Sequence, residues 1–330
     1  MRIVILVDEE MYDPSDPDLS NHRPVRYFDT EYYVADALRS MGHSLLVVPA
    51  TPDLVATIAK IRAFRPRVVF NLVEHVGGHR ANDSIVAGVL EVEGIAYTGG
   101  SASSLAISRN KYLSKLVVAS AGLKVPRSFI WNGHDAPPRR MDHPLIVKPL
   151  NLDGSEGITA NSYVTSVAAL RRQLKRLARQ SSGPIICEEF IEGRDVIVTL
   201  SGIDTVSVDS IRELVFPRGS PVTFATQRIK FDRRYRKRFG IHYRTPTHLI
   251  SSFKGEIERV ARGTYRALKI DSYCKLDFRI RNQDIVFIEA NPNSALSRKS
   301  STTDFGRVGY DRFIRKIVRM ALERHARHSA

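Results

Sequence analysis

The chain is poor in cysteine and contains no long apolar run. Of its 330 residues two are cysteines, and Cys187 and Cys274 both lie in apolar segments, where a small buried residue is the ordinary explanation. The opening segment 1–8 is too short an apolar run for a signal peptide, and no stretch reaches the ~20 apolar residues that a membrane-spanning helix needs. We therefore expect a soluble protein of the reducing cytoplasm, without a membrane segment.

Acidic residues are fewer than basic ones. The 35 Asp and Glu residues against 50 Lys and Arg residues leave a net charge of +15 and a pI near 10.0. Segment 228–238 holds seven basic residues and one acid, with Phe231 and Tyr235 among them, and such a pattern can bind a nucleic-acid backbone and stack on bases. Because no recognised nucleic-acid motif is present, nucleic-acid binding is the less favoured alternative. A solvated basic face, or a cleft whose field attracts an acidic small molecule or peptide, also explains the charge.

The first hundred residues alternate between strand and helix patterns. Segment 30–41 predicts a helix closed by Gly42. Leu54, Ile58 and Ile61 recur at helical spacing before the apolar strand 68–72. Alternating strands and helices are typical of a parallel sheet, so we predict an α/β fold for this part of the chain.

A polar turn joins two apolar segments in the C-terminal half. Residues 273–280 and 285–289 flank this turn and predict a β-hairpin. Asp277 lies on the first strand, and Glu289 and Asn291, at positions i and i+2, face the same side of the second. Carboxylate and amide oxygens suit Mg²⁺, which completes its shell with water and substrate phosphates. The hairpin therefore predicts a magnesium site beside a nucleotide, and an ordinary surface hairpin is the alternative interpretation.

A lysine ends another apolar strand. Lys148 follows residues 144–147, and a small flexible loop, 153–157, comes next. A lysine at the end of a buried strand is costly unless it meets an anion, and a Gly-Ser loop lets backbone N–H groups approach phosphate oxygens. Together they predict a triphosphate site, with adenine along the strand at 184–191. A structural or exposed lysine is the alternative.

Eight short segments follow one another along the chain in a characteristic order. They are 69–74, 88–100, 108–111, 122–126, 145–149, 188–193, 276–278 and 288–291. In this order they resemble the ATP-grasp superfamily and, within it, the D-alanyl-D-alanine ligases. The resemblance implies the α/β ATP-grasp fold, in which an N-terminal parallel α/β domain (1–108), a central lid domain (109–186) and a C-terminal α+β catalytic domain (187–330) clasp ATP.

The resemblance also implies roles for individual residues around the nucleotide. It implies that the phosphates are contacted by Lys111 and Lys148 and that the mobile Gly-rich loop contains Ser155. The adenine amino group would be bound by Glu188, the adenine edge by the backbone of Phe190 and Ile191, and the ribose by Asp195. The metal, Mg²⁺ with Mn²⁺ as an alternative, falls to Asp277, Glu289 and Asn291.

Further residues are implied for catalysis and for substrate binding. A closing loop that begins at Lys230 brings Arg234 to a phosphate and Tyr235 toward the substrate. Lys275 stands in place of an arginine that stabilises a tetrahedral intermediate. Ser300 matches a serine that holds the carboxylate of the second substrate. Each Arg-for-Lys or Lys-for-Arg change keeps the charge but changes the donor geometry.

Departures from the family concern the first substrate. Val25 stands where the D-alanyl-D-alanine ligases have a glutamate that holds an ammonium group, and Gly154 stands where they have the serine that pairs with it. Segment 293–300 replaces a proline-glycine turn. We therefore expect a substrate other than D-alanine, with a genuine D-alanyl-D-alanine ligase as the alternative. A catalytically inactive homologue is disfavoured because the metal set is complete.

Two histidines, His75 and His79, flank a glycine pair. Gly77 and Gly78 break the helix that would align both imidazoles on a zinc ion. A contact of His75 with substrate or phosphate is therefore favoured over a metal site, and a polar loop without a special role is favoured over both.

The expected function is that of an ATP-dependent carboxylate-amine ligase that releases ADP. In the mechanism that the resemblance implies, a carboxylate attacks the γ-phosphate to give an acyl phosphate, and an amine then displaces phosphate through a tetrahedral intermediate. The expected substrates are amino acids or small peptides, acidic ones among them. A homodimer is among the assemblies considered.

Overall fold

Three parallel strands form the N-terminal sheet of the computed structural model, which describes residues 1–21, 30–133, 136–138, 144–152, 157–180, 183–298, 300–303, 305 and 309–328. The strands are β1 (Arg2–Asp8), β2 (Ser44–Ala50) and β3 (Val68–Asn71), in the order β2–β1–β3. The helices of this part are α1 (Thr30–Ser40), α2 (Leu54–Phe64), α3 (Asp83–Val92), α4 (Ala102–Arg109) and α5 (Lys111–Ser120). The predicted parallel α/β arrangement is confirmed.

Helix ends in this part follow from short polar or flexible residues. Soon after α1 ends, Gly42 has a φ of +78°, which residues with a side chain rarely adopt. Asp53 accepts a hydrogen bond at 3.0 Å from an amide in the first turn of α2. Asn110 accepts two such bonds, at 3.1 and 3.0 Å, at the start of α5. These caps satisfy amides that the first helical turn leaves unpaired, so local sequence determines where these helices begin.

Four antiparallel strands form the central sheet. They are β4 (Ser128–Trp131), β5 (Leu145–Pro149), β6 (Tyr163–Val164) and β7 (Ile185–Glu189), in the order β4–β7–β5–β6, and α6 (Val167–Gln180) packs its leucines on this sheet. The predicted boundary between residues 186 and 187 falls inside β7, which pairs with β4 and β5. We therefore assign β7 to the central sheet, and the wider division into three domains stays a prediction.

Five antiparallel strands form the C-terminal sheet. The elements are β8 (Arg194–Ser201), β9 (Ser207–Val215), α7 (Gln227–Phe231), α8 (Arg233–Arg238), β10 (His242–Arg244), α9 (Thr247–Ala267), β11 (Tyr273–Arg281) and β12 (Asp284–Asn291), with the strand order β10–β9–β8–β11–β12. Apolar residues of α9 pack on β8 and β11. No helix within the described ranges is both long enough and apolar enough to cross a membrane.

The last helix, α10 (Tyr310–His328), returns to the N-terminal sheet. Phe313 and Ile317 of α10 pack with α1 and with one face of β1 and β3. The other face of these strands packs on α2 and α3. The core of the first sheet is therefore completed by residues from the opposite end of the chain.

A buried guanidinium on α10 fastens the N-terminal and C-terminal parts together. Arg324 donates to the carbonyl of Tyr97 at 2.7 Å, to the carbonyl of Gly99 at 2.8 Å and to Asp271 Oδ1 at 2.9 Å. Its guanidinium also lies 4.3 Å from the centre of the Tyr97 ring. Gly99, at a φ of +91°, approaches Asn293 so closely that a Cβ atom there would lie 2.7 Å from Asn293 Oδ1. This junction aligns the two parts that flank the site described below.

We predict that Arg324→Met destabilises the protein by about 3 kcal/mol, because it strands two buried carbonyls and a carboxylate. The matched control is Arg319→Met on the same helix, since Arg319 is 69% exposed and pairs with Glu323 at the surface. We expect that variant to change the stability by less than about 0.5 kcal/mol. Thermal and urea unfolding of the two variants measure the difference, and equal midpoints would contradict the role given to Arg324.

Candidate active site

The two predicted metal-binding carboxylates face each other across a hairpin. β11 and β12 pair in antiparallel register, with Asp277 opposite Glu289 and Lys275 opposite Asn291. The register shifts directly after Asp277, and such bulges are frequent beside active sites. The hairpin predicted from the sequence is confirmed, and it brings the three predicted metal ligands to neighbouring positions.

The ammonium group of Lys230, on α7, lies between these carboxylates. Its Nζ is 3.4 Å from Asp277 Oδ2 and 3.3 Å from Glu289 Oε1. Burial disfavours the charge on Lys230, but the carboxylates outweigh burial and raise the pKa of this lysine. Burial raises the pKa of Asp277 to about 6. Because the pair holds a cation and offers hard oxygen donors, it fits a divalent ion such as Mg²⁺ or Mn²⁺.

Buried lysines lie beside this pair, around Glu188. Lys148 Nζ is 2.8 Å from one carboxylate oxygen of Glu188, and Lys115 Nζ is 2.6 Å from the other. Lys115 also donates at 2.7 Å to the carbonyl of Ile288, at the bulge of β12. Both oxygens of Glu188 therefore hold lysines, in addition to the adenine contact that the family resemblance implies.

Lys111 adds a third ammonium group to this cluster. Its Nζ donates to the backbone carbonyls of Leu150 and Leu152, directly after β5. Burial lowers the pKa of Lys111 to about 7. Burial alone would raise the pKa of Glu289, but the nearby lysines outweigh it and lower this pKa. The lysines thus outnumber the carboxylates that they contact, and a chain of phosphates has the charge to neutralise the excess.

A cavity of about 90 Å³ lies between the central and C-terminal sheets. Among the residues predicted for the nucleotide and the metal, its lining contains Lys148, Glu188, Phe190, Ile191, Asp195, Lys230, Asp277 and Glu289. We call it the nucleotide cavity, after the ligand predicted for these residues. The fold therefore gathers residues from five strands and from α7 around one space.

Arg279 organises one side of the nucleotide cavity. Its guanidinium lies 4.9 Å from the centre of the Phe190 ring and 3.2 Å from Asp195 Oδ1. It also donates to the carbonyl of Thr223 at 2.9 and 3.0 Å. Burial raises the pKa of Asp195, and the charge of Arg279 opposes this shift in part. Asp195, predicted to bind the ribose, is thus held by an arginine that also stacks on the predicted adenine contact.

A second cavity, of about 240 Å³, meets the nucleotide cavity at Lys230 and Asp277, which line both. We call it the substrate cavity. Its lining includes the predicted residues Lys275, Asn291 and Ser300. The predicted phosphate side and the predicted substrate side of the site are therefore continuous at the paired carboxylates.

Lys275 ties the hairpin to the loop that follows it. Its Nζ donates to the carbonyl of Ala295 at 2.9 Å and to Thr302 Oγ1 at 3.2 Å. The hydroxyl of Thr302 in turn lies 2.8 Å from Ser300 Oγ. Burial lowers the pKa of Lys275 to about 8. The predicted catalytic lysine and the predicted carboxylate-binding serine thus belong to one hydrogen-bonded group.

His75 lies in a separate polar cluster. Its Nε2 is 2.8 Å from Glu10 Oε1 and 3.3 Å from Asp8 Oδ2. Gly77 and Gly78 have φ values of +59° and +75°, so no helix aligns His75 with the second histidine, as predicted. Two carboxylates thus hold the imidazole, and the expected contact of His75 with the substrate stays a prediction.

The predicted closing-loop residues also lie outside the described lining of the two cavities. Arg234 is exposed on α8, and the Tyr235 ring packs on Phe239 at a centroid distance of 4.7 Å. The physical reason is the helix that Asp232 caps. Its buried side is taken by Arg236, which donates to backbone carbonyls of α7, so neighbouring positions of α8 face elsewhere. Arg234 and Tyr235 therefore face away from both cavities in this structure, and their predicted contacts in a loop closed over ATP stay predictions.

Three residues named from the sequence, Val25, Gly154 and Ser155, lie outside the described residues. The predicted loss of an ammonium-binding pair and the predicted phosphate loop therefore stay predictions.

Lys115, Arg279 and Tyr243 are among the site residues that the sequence analysis did not identify. Lys115 lies four positions after Lys111, a spacing that puts both on one face of a helix. Arg279 lies two positions after Asp277, on the same face of β11. Tyr243 lines the substrate cavity, and no local pattern indicates it because β10 is a strand of three residues.

The comparisons with known proteins agree with this geometry. The family model described as D-ala D-ala ligase C-terminus matches residues 134–316, more than half of the chain. The chain is 25% identical over 311 residues to the D-alanine–D-alanine ligase of Gluconobacter oxydans, an alignment that covers 92% of this chain and 97% of that protein.

Solved structures of similar proteins cover nearly the whole chain. The D-alanine–D-alanine ligase from Bacillus anthracis complexed with ATP has a TM-score of 0.72 at 16% identity, with 99% of both chains covered. The VanG D-Ala:D-Ser ligase from Enterococcus faecalis has a TM-score of 0.62 at 17% identity, with 97% of this chain and 99% of that chain covered. The predicted ATP-grasp fold is confirmed. With its matching family model and its paired site residues, the chain belongs to the D-ala D-ala ligase C-terminus family.

Proposed function

We propose that this chain is an ADP-forming ligase that activates the carboxylate of an amino acid or small peptide with ATP and joins it to an amine. The broader class, an ATP-dependent ligase that forms an amide bond, follows from the family. The observation that carries the finer proposal is that Asp277 and Lys230 line both cavities. A phosphate chain in one cavity and a carboxylate in the other would meet at the paired carboxylates.

Asp277, Glu289 and Asn291 would hold the metal, and Lys111, Lys115 and Lys148 would hold the phosphates. When bound, a divalent cation neutralises phosphate charge and orients the transferred group. Glu188 holds Lys115 and Lys148 in place, so these ammonium groups are positioned before any ligand arrives. Preorganised charge of this kind is usually the largest contribution to such catalysis.

Lys275 would act on the substrate side. Its ammonium group is fixed by the loop at 295–302 and lines the substrate cavity. A cation held there can stabilise negative charge that develops on an acyl oxygen. Because burial lowers its pKa to about 8, a nearby anion would favour its charged form.

The identity of the amino acid has two candidates. The sequence departures at Val25 and Gly154 favour a substrate other than D-alanine, whereas the named relatives are D-alanine–D-alanine ligases and the comparisons give no support for excluding D-alanine. The first candidate that we propose is therefore a ligase whose substrate is an amino acid other than D-alanine. A D-alanyl-D-alanine ligase is the second candidate function.

The direct test is phosphate release from ATP with Mg²⁺ in the presence of pairs of D- or L-amino acids and dipeptides. We expect at least one pair to stimulate release, with a condensation product visible by mass spectrometry. Because the sequence departures remove the expected ammonium contacts, we predict that D-alanine alone is a weak substrate. Ordinary turnover of D-alanine to its dipeptide would favour the second candidate, and no stimulation by any pair would refute the proposal.

A second prediction concerns the paired carboxylates. Asp277→Asn and Glu289→Gln should each lower turnover about 100-fold or more, because a lost anionic donor weakens the metal site. Asp284→Asn is the matched control on the same hairpin, since Asp284 lies at the exposed turn and pairs with Lys124. Turnover of the three variants is compared at saturating Mg²⁺ and ATP, together with their melting temperatures. Near-normal activity of a well-folded Asp277 or Glu289 variant would remove the metal assignment.

A third prediction distinguishes two tyrosines. Burial raises the pKa of Tyr243 to about 12, so its hydroxyl in the substrate cavity is a neutral hydrogen-bond donor at pH 7. Tyr243→Phe should lower kcat about tenfold, the value of one hydrogen bond to a charged group. Tyr235→Phe should leave kcat within about twofold, because that ring packs on Phe239. Steady-state ADP release measures both variants. A larger loss of kcat in Tyr235→Phe than in Tyr243→Phe would support Tyr235 as the active tyrosine.

A further inference from the structure

The wall of the substrate cavity contributed by α3 and α4 contains buried polar groups that the proposed reaction does not use. Asp83 is the first residue of α3 and is 1% exposed, and Ser108 lies near the end of α4 and is 4% exposed. Both line the substrate cavity, together with Arg109. A carboxylate with so little contact with solvent needs a partner for each oxygen.

The hydrogen bonds of this wall are incomplete within the described part of the protein. Asp83 Oδ2 forms an ion pair with Arg109, whereas Asp83 Oδ1 and Ser108 Oγ have no hydrogen-bond partner. Burial raises the pKa of Asp83, and Arg109 opposes that shift in part. Each unpartnered buried polar atom costs about 1–3 kcal/mol, a cost that a ligand carrying a hydrogen-bond donor would remove.

The charged groups of the substrate cavity are largely paired. On the α3–α4 side Asp83 pairs with Arg109, and Glu74 pairs with Arg80 at 3.0 Å. The hairpin and α7 contribute the ammonium groups of Lys275 and Lys230 and the carboxylate of Asp277. An amino acid fits this lining where its ammonium group meets the second oxygen of Asp83 and its carboxylate meets an ammonium group of the opposite side.

The same wall also offers hydrogen-bond acceptors that a cationic group can use. Asp83 supplies a buried carboxylate oxygen, and Ser108 supplies a hydroxyl that accepts hydrogen bonds as well as donating one. Three donors of an ammonium group can use such acceptors in the same cavity.

We propose that Asp83 Oδ1 and Ser108 Oγ form a subsite for the ammonium group of an amino-acid or peptide substrate. This inference rests on the proposed function and names the group that selects the substrate. The pair determines specificity and takes no part in the phosphate chemistry. Arg109 positions the subsite by holding the second oxygen of Asp83.

The test compares each amino acid with the carboxylic acid that lacks its amino group, for example D-alanine with propanoate. Both members of each pair are assayed as the carboxylate substrate, for phosphate release from ATP with Mg²⁺ and with one common amino acid present as the amine that accepts the acyl group, across a panel of D- and L-amino acids. For the amino acid that the wild type uses best, we expect kcat/KM to exceed that of the deaminated acid at least tenfold. In Ser108→Ala and in Asp83→Asn this ratio should fall toward one, through loss of activity on the amino acid alone.

Ser108→Ala leaves the ion pair of Asp83 with Arg109 in place, so it remains informative if Asp83→Asn unfolds. The control is Ser84→Ala, because the Ser84 hydroxyl donates to the carbonyl of Ala81 at 2.9 Å and is absent from the described lining of the cavity. Its ratio should equal that of the wild type.

The outcomes separate the two proposals. An active wild type whose preference for the amino group is unchanged in Ser108→Ala and in folded Asp83→Asn would overturn the subsite alone. Equal loss on both members of a pair would overturn it too, because a packing defect does not distinguish them. No phosphate release by the wild type with any member of the panel would overturn the proposed function, and the subsite with it.

Discussion

The site depends on two carboxylates, Asp277 and Glu289, that the hairpin register places opposite each other. Two negative charges on directly opposed residues repel strongly when they are buried, so the surroundings must supply positive charge. Lys230 supplies it directly, and the lysines around Glu188 supply it from α5 and from the central sheet. The buried carboxylates and lysines therefore neutralise one another. A metal ion would replace Lys230 beside the carboxylates, and a polyphosphate would contact the lysines.

Three separate parts of the fold contribute the charged residues of this cluster. The central sheet carries Lys148 and Glu188, the C-terminal sheet carries the hairpin, and α5 carries Lys111 and Lys115 between them. The bulge in β12 turns a backbone carbonyl toward Lys115. Because the lysines are held by protein acceptors, their positions do not depend on a bound ligand.

The substrate side is built from less regular structure. Beside the hairpin and α7, its lining comes from the loop after β12, from the ends of α3 and α4, and from Tyr243 on an edge strand. Loops on a rigid scaffold change more readily than the scaffold itself.

The sequence by itself determined the elements whose signals are local: the parallel α/β start, the hairpin, and the strand-end Lys148. The spacing of apolar residues, the helix caps and the turn residues act over a few positions, so they indicate local structure before the fold is known. Most of the predicted nucleotide residues gather in one cavity, but they come from five strands and α7, so their convergence belongs to the tertiary structure.

Only the tertiary structure decided the contacts that join distant segments. It placed Lys230 on the hairpin carboxylates, turned Arg234 and Tyr235 away, brought Tyr243 and Asp83 into the substrate cavity, and closed the first sheet with α10. Such contacts depend on how helices and sheets pack, and side-chain direction after a helix cap changes by about 100° per residue. A local pattern carries no information on which of several neighbouring side chains meets a partner far along the chain.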